Sequence, residues 1–157
     1  MDTPLRDHLA RALAWGEAHT TVEDAVADLP EPLRGRIPAG LPYSPWQLLE
    51  HIRITQHDIL DFCRNPHYEE IAWPAAYWPT SPTPPTDEAW DASVRQIRED
   101  RAALQAIARD ASVDLAARIP HGTGQTYLRE ILLVLDHTAY HLGELIVARR
   151  LLGAWSR

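Results

Sequence analysis

A single cysteine, Cys63, leaves the chain without a partner for an intrachain disulfide, so the fold must hold without oxidation. Basic residues are not in excess either: 15 Lys and Arg stand against 22 Asp and Glu, a formal net charge of −7. Nucleic-acid binding ordinarily needs a basic excess or stripe, and that partner class is set aside. Long hydrophobic runs are missing. The longest strongly apolar stretch, residues 131–135, falls far short of the roughly 20 residues that span a bilayer. Met1-Asp2-Thr3-Pro4 does not begin a basic-then-apolar secretory signal. The expectation is a soluble, cytoplasmic protein with no membrane partner. What is present is ordinary in bulk. With 45% apolar and 24% charged residues, the composition excludes wholesale disorder. A length of 157 residues suits one domain over residues 1–157 with one unaided hydrophobic core.

Proline supplies most of the punctuation. Thirteen prolines fall mainly at the start, in residues 29–45 and in residues 73–85, and residues 119–124 form a further interruption. Proline inside a helix removes a donor and clashes with the preceding turn, so these stretches read as connections. Four blocks between them have helical period. The first covers residues 4–19, with Leu5, Leu9, Ala12, Leu13 and Gly16 on one face. Thr21 then opens a short apolar turn or helix through Val26 and Leu29. In the second block Ser44 caps, Pro45 suits the first helical position, and Gln47 completes a capping box. Tyr43 and Leu48 are spaced for a hydrophobic staple, and the helix runs to about Cys63, ahead of Asn65-Pro66.

The third block starts at Thr86-Asp87-Glu88, a cap followed by acids, and carries a seam of Trp90, Val94, Ile97, Leu104 and Ala108 interrupted by Arg101. The fourth runs from about Gln125 to Leu152 and stops at Gly153. It is apolar almost all round, which predicts a central position. No block alternates with period two. Four amphipathic helices imply an all-α four-helix bundle, with a long crossover between the second and third.

On the fourth helix His137 and His141 are four residues apart, about 40° from each other around the axis, so both imidazoles can meet one divalent ion. Spacing alone is equally met by two hydrogen-bonded histidines at a core edge. The setting favours the ion, because the inner face offers few other polar partners and burying two unpaired imidazoles is costly. Glu144 returns to the same face as a fourth ligand, a general base or an acceptor for an imidazole N–H. A third ligand should come from a facing helix, and His51, two turns into the second helix, is the best placed. His57 points about 120° away from His51, whereas Asp58 shares its face and can support the site from below. A solvated edge accounts for both as well. Three neutral nitrogens with an open fourth position suit zinc, nickel or another borderline divalent ion. Cys63, about three turns from His51, reads as a small buried apolar residue.

At Ser44-Pro45-Trp46-Gln47-Leu48-Leu49-Glu50-His51, at Asp136-His137-Thr138-Ala139-Tyr140-His141-Leu142-Gly143-Glu144, and at Arg149-Arg150-Leu151-Leu152-Gly153-Ala154-Trp155, the sequence resembles the DinB-like superfamily of metal-binding four-helix bundles, which includes the YfiT-type proteins. Tyr77-Trp78-Pro79 also fits. The resemblance covers the chain from the second helix onward. It implies a bundle with a long crossover, a divalent metal on His51, His137 and His141, and a homodimer. Members with assigned activities include S-transferases and isomerases that use low-molecular-weight thiols.

Arg101 can then hold a carboxylate of a substrate or thiol cofactor through paired N–H donors, although an arginine whose stem packs and whose head reaches solvent fits as well. Aromatic residues of the crossover can form a lid or cover a bundle end. Arg149 and Arg150 suit the negative end of the last helix dipole. Three functions follow: a metal-dependent enzyme acting on a small molecule, by thiol transfer or by hydrolysis; a bundle in which the metal only staples helices; and a metal-free interaction module. In the first, Glu144 and Asp58 orient ligands or shuttle a proton.

Overall fold

In the computed structural model of the chain, residues 3–14, 16 and 18–155 are described. Among them no β-strand forms, and the one extended pairing is an isolated bridge between Arg118 and Thr126. The helices are α1 (Thr3–Ala12), α2 (Val22–Val26), α3 (Glu31–Arg34), α4 (Pro45–Arg64), α5 (Asp87–Arg109) and α6 (Tyr127–Leu151), with a 3-10 turn at Ala75–Tyr77. The long helices α1, α4, α5 and α6 make the bundle, and residues 65–86 cross over from α4 to α5.

The start of α4 follows the sequence closely. Ser44 Oγ accepts from the Gln47 amide, Gln47 Oε1 accepts from the Ser44 amide, and Pro45 takes the first position. The same Ser44 hydroxyl donates to the Pro82 carbonyl at 2.6 Å, and Gln47 Nε2 donates to Pro79 at 3.3 Å, so the cap also tethers the crossover. Thr21 opens a short helix as expected, capping α2 with its side chain, and that helix ends at Val26 without reaching Leu29.

Other boundaries differ. α1 ends at Ala12, not near residue 19. Gly16 is a poor helix former, and the chain there turns back on Thr21 so closely that a Cβ on Gly16 would lie 2.9 Å from Thr21 Cγ2. The Trp15 and Glu17 portions of that expected helix lie outside the described residues. Thr86 holds the N-cap position of α5 but makes no side-chain cap bond. α6 begins at Tyr127, because the Gln125 carbonyl is taken by the Ile119 amide at 2.8 Å and Thr126 becomes the cap. It closes with Gly153 at φ 70° and the Ala154 amide on the Arg149 carbonyl, a helix ending that uses glycine's freedom at positive φ.

Burial also corrects the expected centre. α4 packs against both α5 and α6 and carries the widest buried face. α6 buries Ile131, Val134, Leu142, Leu145 and Ala148 on one side and exposes Leu132, Tyr140, Val147 and Leu151 on the other. By length and composition alone α6 is apolar enough to cross a membrane, but here it forms one wall of the bundle.

Two charged side chains close helix ends. Arg6, 5% exposed, donates to the carbonyls of Ala108, Asp110 and Val113 at the end of α5. Arg149 is buried, reaching the carbonyls of Ala25 in the last turn of α2, of Ala27 just beyond it and of Ala154. It therefore ties helix ends together, which goes beyond the expected dipole role.

The apolar core divides into two clusters. One contains Leu48, Leu49, Ile52, Trp90, Ile97, Leu142 and Leu145; the other contains Ile59, Leu60, Leu104, Leu115, Ile119, Ile131 and Val134. In α4, α5 and α6 polar groups lie at or near the change from one cluster to the other: His51, beside Ile52, then Thr55 and Gln56 in α4, Asp100 in α5, His137 and His141 in α6. Gln56 Nε2 donates to the Ile97 carbonyl at 2.7 Å, and buried Asp100 meets His57 Nδ1 at 3.1 Å.

Candidate metal centre

The polar belt brings His51, His137 and His141 together. His51 Nε2 lies 3.1 Å from His141 Nε2 and 3.0 Å from His137 Nε2, and one ligand atom from each ring falls within 4.8 Å of the others. α4 supplies the first ring and α6 the other two, one turn apart.

Two tautomers are set by acceptors behind the rings. His51 Nδ1 is 2.8 Å from the Tyr77 carbonyl oxygen, and His141 Nδ1 is 2.7 Å from Glu144 Oε2. A carbonyl and a carboxylate accept, so each Nδ1 carries hydrogen and each Nε2 of a neutral ring presents a lone pair. Two lone pairs 3.1 Å apart have no hydrogen between them and call for a cation. Burial disfavours a proton in that role. It pushes His51 below the ordinary imidazole range, with His141 adding to the effect and the Tyr77 carbonyl opposing it. Burial, reinforced by His141 and then His51, takes His137 down to about 3.

The donor set fits a divalent ion. Nitrogens about 2.0–2.1 Å from a tetrahedral centre stand roughly 3.3 Å apart, close to the separations found here. A hydrogen-bonded acceptor behind a histidine ligand is the usual arrangement around such ions.

An aromatic stack covers His51. Trp78 lies against the ring with centroids 3.8 Å apart and planes 9° apart, and Tyr43 stacks on the far face of Trp78 at 3.9 Å. The crossover thus supplies both the carbonyl that orients His51 and the indole that shields it.

Asp58 is half-buried and does not reach the rings in any hydrogen bond. It accepts from Tyr77 Oη at 2.7 Å and from Tyr68 Oη at 2.9 Å, so it acts on the 3-10 turn that carries the Tyr77 carbonyl. Arg101 is engaged elsewhere. Its guanidinium pairs with Glu23 of α2. Burial would raise the Glu23 carboxyl, but the hydrogen bond and charge of Arg101 hold it below the ordinary value. No contact of Arg101 with the histidines accompanies that pairing. His57 is exposed and turned to Asp100, and Cys63 is buried, its thiol pushed up to about 12 by burial and then by Glu130.

Sequence reasoning missed the Tyr77 carbonyl, for which a main-chain atom leaves no residue signal, and the Trp78 stack. It also missed Glu50, which is buried and held by Arg53 at 2.8 and 2.9 Å and by Ser93 at 2.5 Å. The spacing of Glu50 and Arg53, three apart on one helix, was the available clue.

A family model described as the DinB superfamily matches residues 14–145. Comparison with curated proteins and with solved structures gives no match.

Proposed function

The chain belongs to the DinB superfamily, and from that membership together with the converging imidazoles we propose a divalent-metal-dependent enzyme, a transferase that joins a low-molecular-weight thiol to a small electrophile. The observation that carries the metal reading is the trio of facing Nε2 atoms, two of them fixed as lone pairs by Tyr77 and Glu144. The thiol is supported by the family resemblance of the motifs that bear these histidines.

In this reading His51, His137 and His141 hold zinc or nickel. A divalent ion there supplies Lewis acidity, enough to bring a coordinated thiol or water toward ionisation near neutral pH. Glu144 keeps His141 in the ligating tautomer, and the Tyr77 carbonyl does so for His51. Asp58 pins the phenol of Tyr77 and hence its turn. Both carboxylates are positioning residues. Trp78 excludes water from one face of His51. Glu23 takes two of the five N–H donors of Arg101, and the scheme assigns Arg101 no cofactor contact. The protein works as a cytoplasmic homodimer.

Tag-free protein, assayed with a thiol-reactive electrophile and each of several low-molecular-weight thiols, tests the proposal. Turnover that disappears on chelation and returns with zinc or nickel supports it. Metal-dependent hydrolysis without any thiol requirement would replace the transferase with a hydrolase. Stoichiometric metal with neither activity would leave a staple between α4 and α6.

A further inference from the structure

Next to the histidine belt, the C-terminal half of α4, the N-terminal half of α6, the crossover and the 121–125 loop border an open cavity of about 390 Å3. That is within the range of small-molecule sites. None of the three clustered histidines lines it. Tyr77 does, so one residue borders both places.

The walls are of two kinds. Ile59, Phe62 and Leu133 give an apolar floor, and Phe62 meets the ring of Tyr68 edge-on at 5.1 Å. Three carboxylates, Asp58, Glu70 and Glu130, face a single guanidinium, Arg129. Arg129 is bonded to Glu130 at 2.6 Å, so that pair neutralises itself. Asp58 and Glu70 have no lysine or arginine of their own among the lining residues, and the one imidazole in the wall, His121, turns its Nε2 to the Phe62 carbonyl at 2.8 Å. Asp58 accepts one phenol hydrogen on each oxygen, and a carboxylate oxygen retains a second acceptor position. Electron-rich ring faces beside uncompensated carboxylates attract a positive group and repel a negative one.

We propose that this cavity binds a small molecule in which a protonated amine is joined to an aromatic or apolar body. The ammonium lies against Asp58 and Glu70, and the body lies on Ile59, Phe62 and Leu133. The inference goes beyond the metal reading and does not depend on it, since none of His51, His137 and His141 lines the cavity.

Titration of the metal-stripped full chain with phenethylamine, and separately with phenylacetate, followed by backbone amide shifts, is the test. Phenethylamine should saturate and move resonances of the 58–62 and 129–133 segments, while phenylacetate should leave them in place. Glu70→Gln, at an exposed position that does not hold the fold, should weaken phenethylamine about threefold or more. Leu133→Trp should fill the cavity and abolish binding in a protein whose helical signal is retained. Lack of saturation up to about 20 mM amine, equal binding of the two probes, or unchanged affinity in Glu70→Gln would overturn the proposal.

Discussion

At His51 two demands meet on one ring: Nδ1 donates to the Tyr77 carbonyl, while Nε2 faces two further imidazole nitrogens at 3.0 and 3.1 Å. Glu144 imposes the same division on His141. Removing an acceptor behind a ligand usually lowers metal affinity about 10–100-fold, so Glu144→Ala should weaken zinc by that factor with the helical content unchanged. Competition against a chromophoric chelator measures it. Acid should act through His137. Its folded value near 3 lies below the ordinary 6.5, so between those values only the unfolded chain binds the proton. Stability of the metal-free protein should therefore be intact above about pH 6.5 and fall as pH drops toward 3. The slope is up to about 1.4 kcal/mol per pH unit for this proton, and His51, also lowered, acts in the same direction. Melting of wild type and His137→Gln from pH 7 to pH 4.5 checks it; equal acid sensitivity in the two would contradict the assignment.

Among the elements, α4 shows how local sequence and long-range structure can coincide. Ser44 caps the helix and also holds the Pro82 carbonyl. Ser44→Ala should cost about 1–2 kcal/mol, the upper part of the range for a lost cap, because a crossover contact goes with it. Arg6→Ala should cost more, about 2–4 kcal/mol, since three carbonyls at the end of α5 lose their donor together. Denaturant unfolding measures both. The two cases differ in legibility. Ser44, Pro45 and Gln47 lie within four residues, so the capping box could be read directly. Arg6 finds its acceptors more than a hundred residues away, and Arg101 finds Glu23 across 78 positions. Nothing local marks such pairs. The metal trio lies between these extremes: the four-residue spacing of His137 and His141 is local, and His51 followed from the need for a facing helix. The Tyr77 carbonyl had no such path, because its position depends on how the crossover folds.

Across the whole molecule, the polar belt splits the apolar core, and α4 and α6 approach each other there through imidazoles. An ion held by the three imidazoles would link the two helices. An ion that binds only the folded state should raise stability by about 2.7 kcal/mol when present at a hundred times its dissociation constant. Calorimetric melting with and without zinc reads this directly, and His141→Ala should remove the effect. The most direct measurement is X-ray absorption at the zinc edge of stoichiometrically loaded, tag-free protein. It should show three imidazole nitrogens at about 2.0–2.1 Å and one further light-atom ligand. A shell of oxygens alone, or one imidazole or none at the metal, would contradict a centre built from His51, His137 and His141.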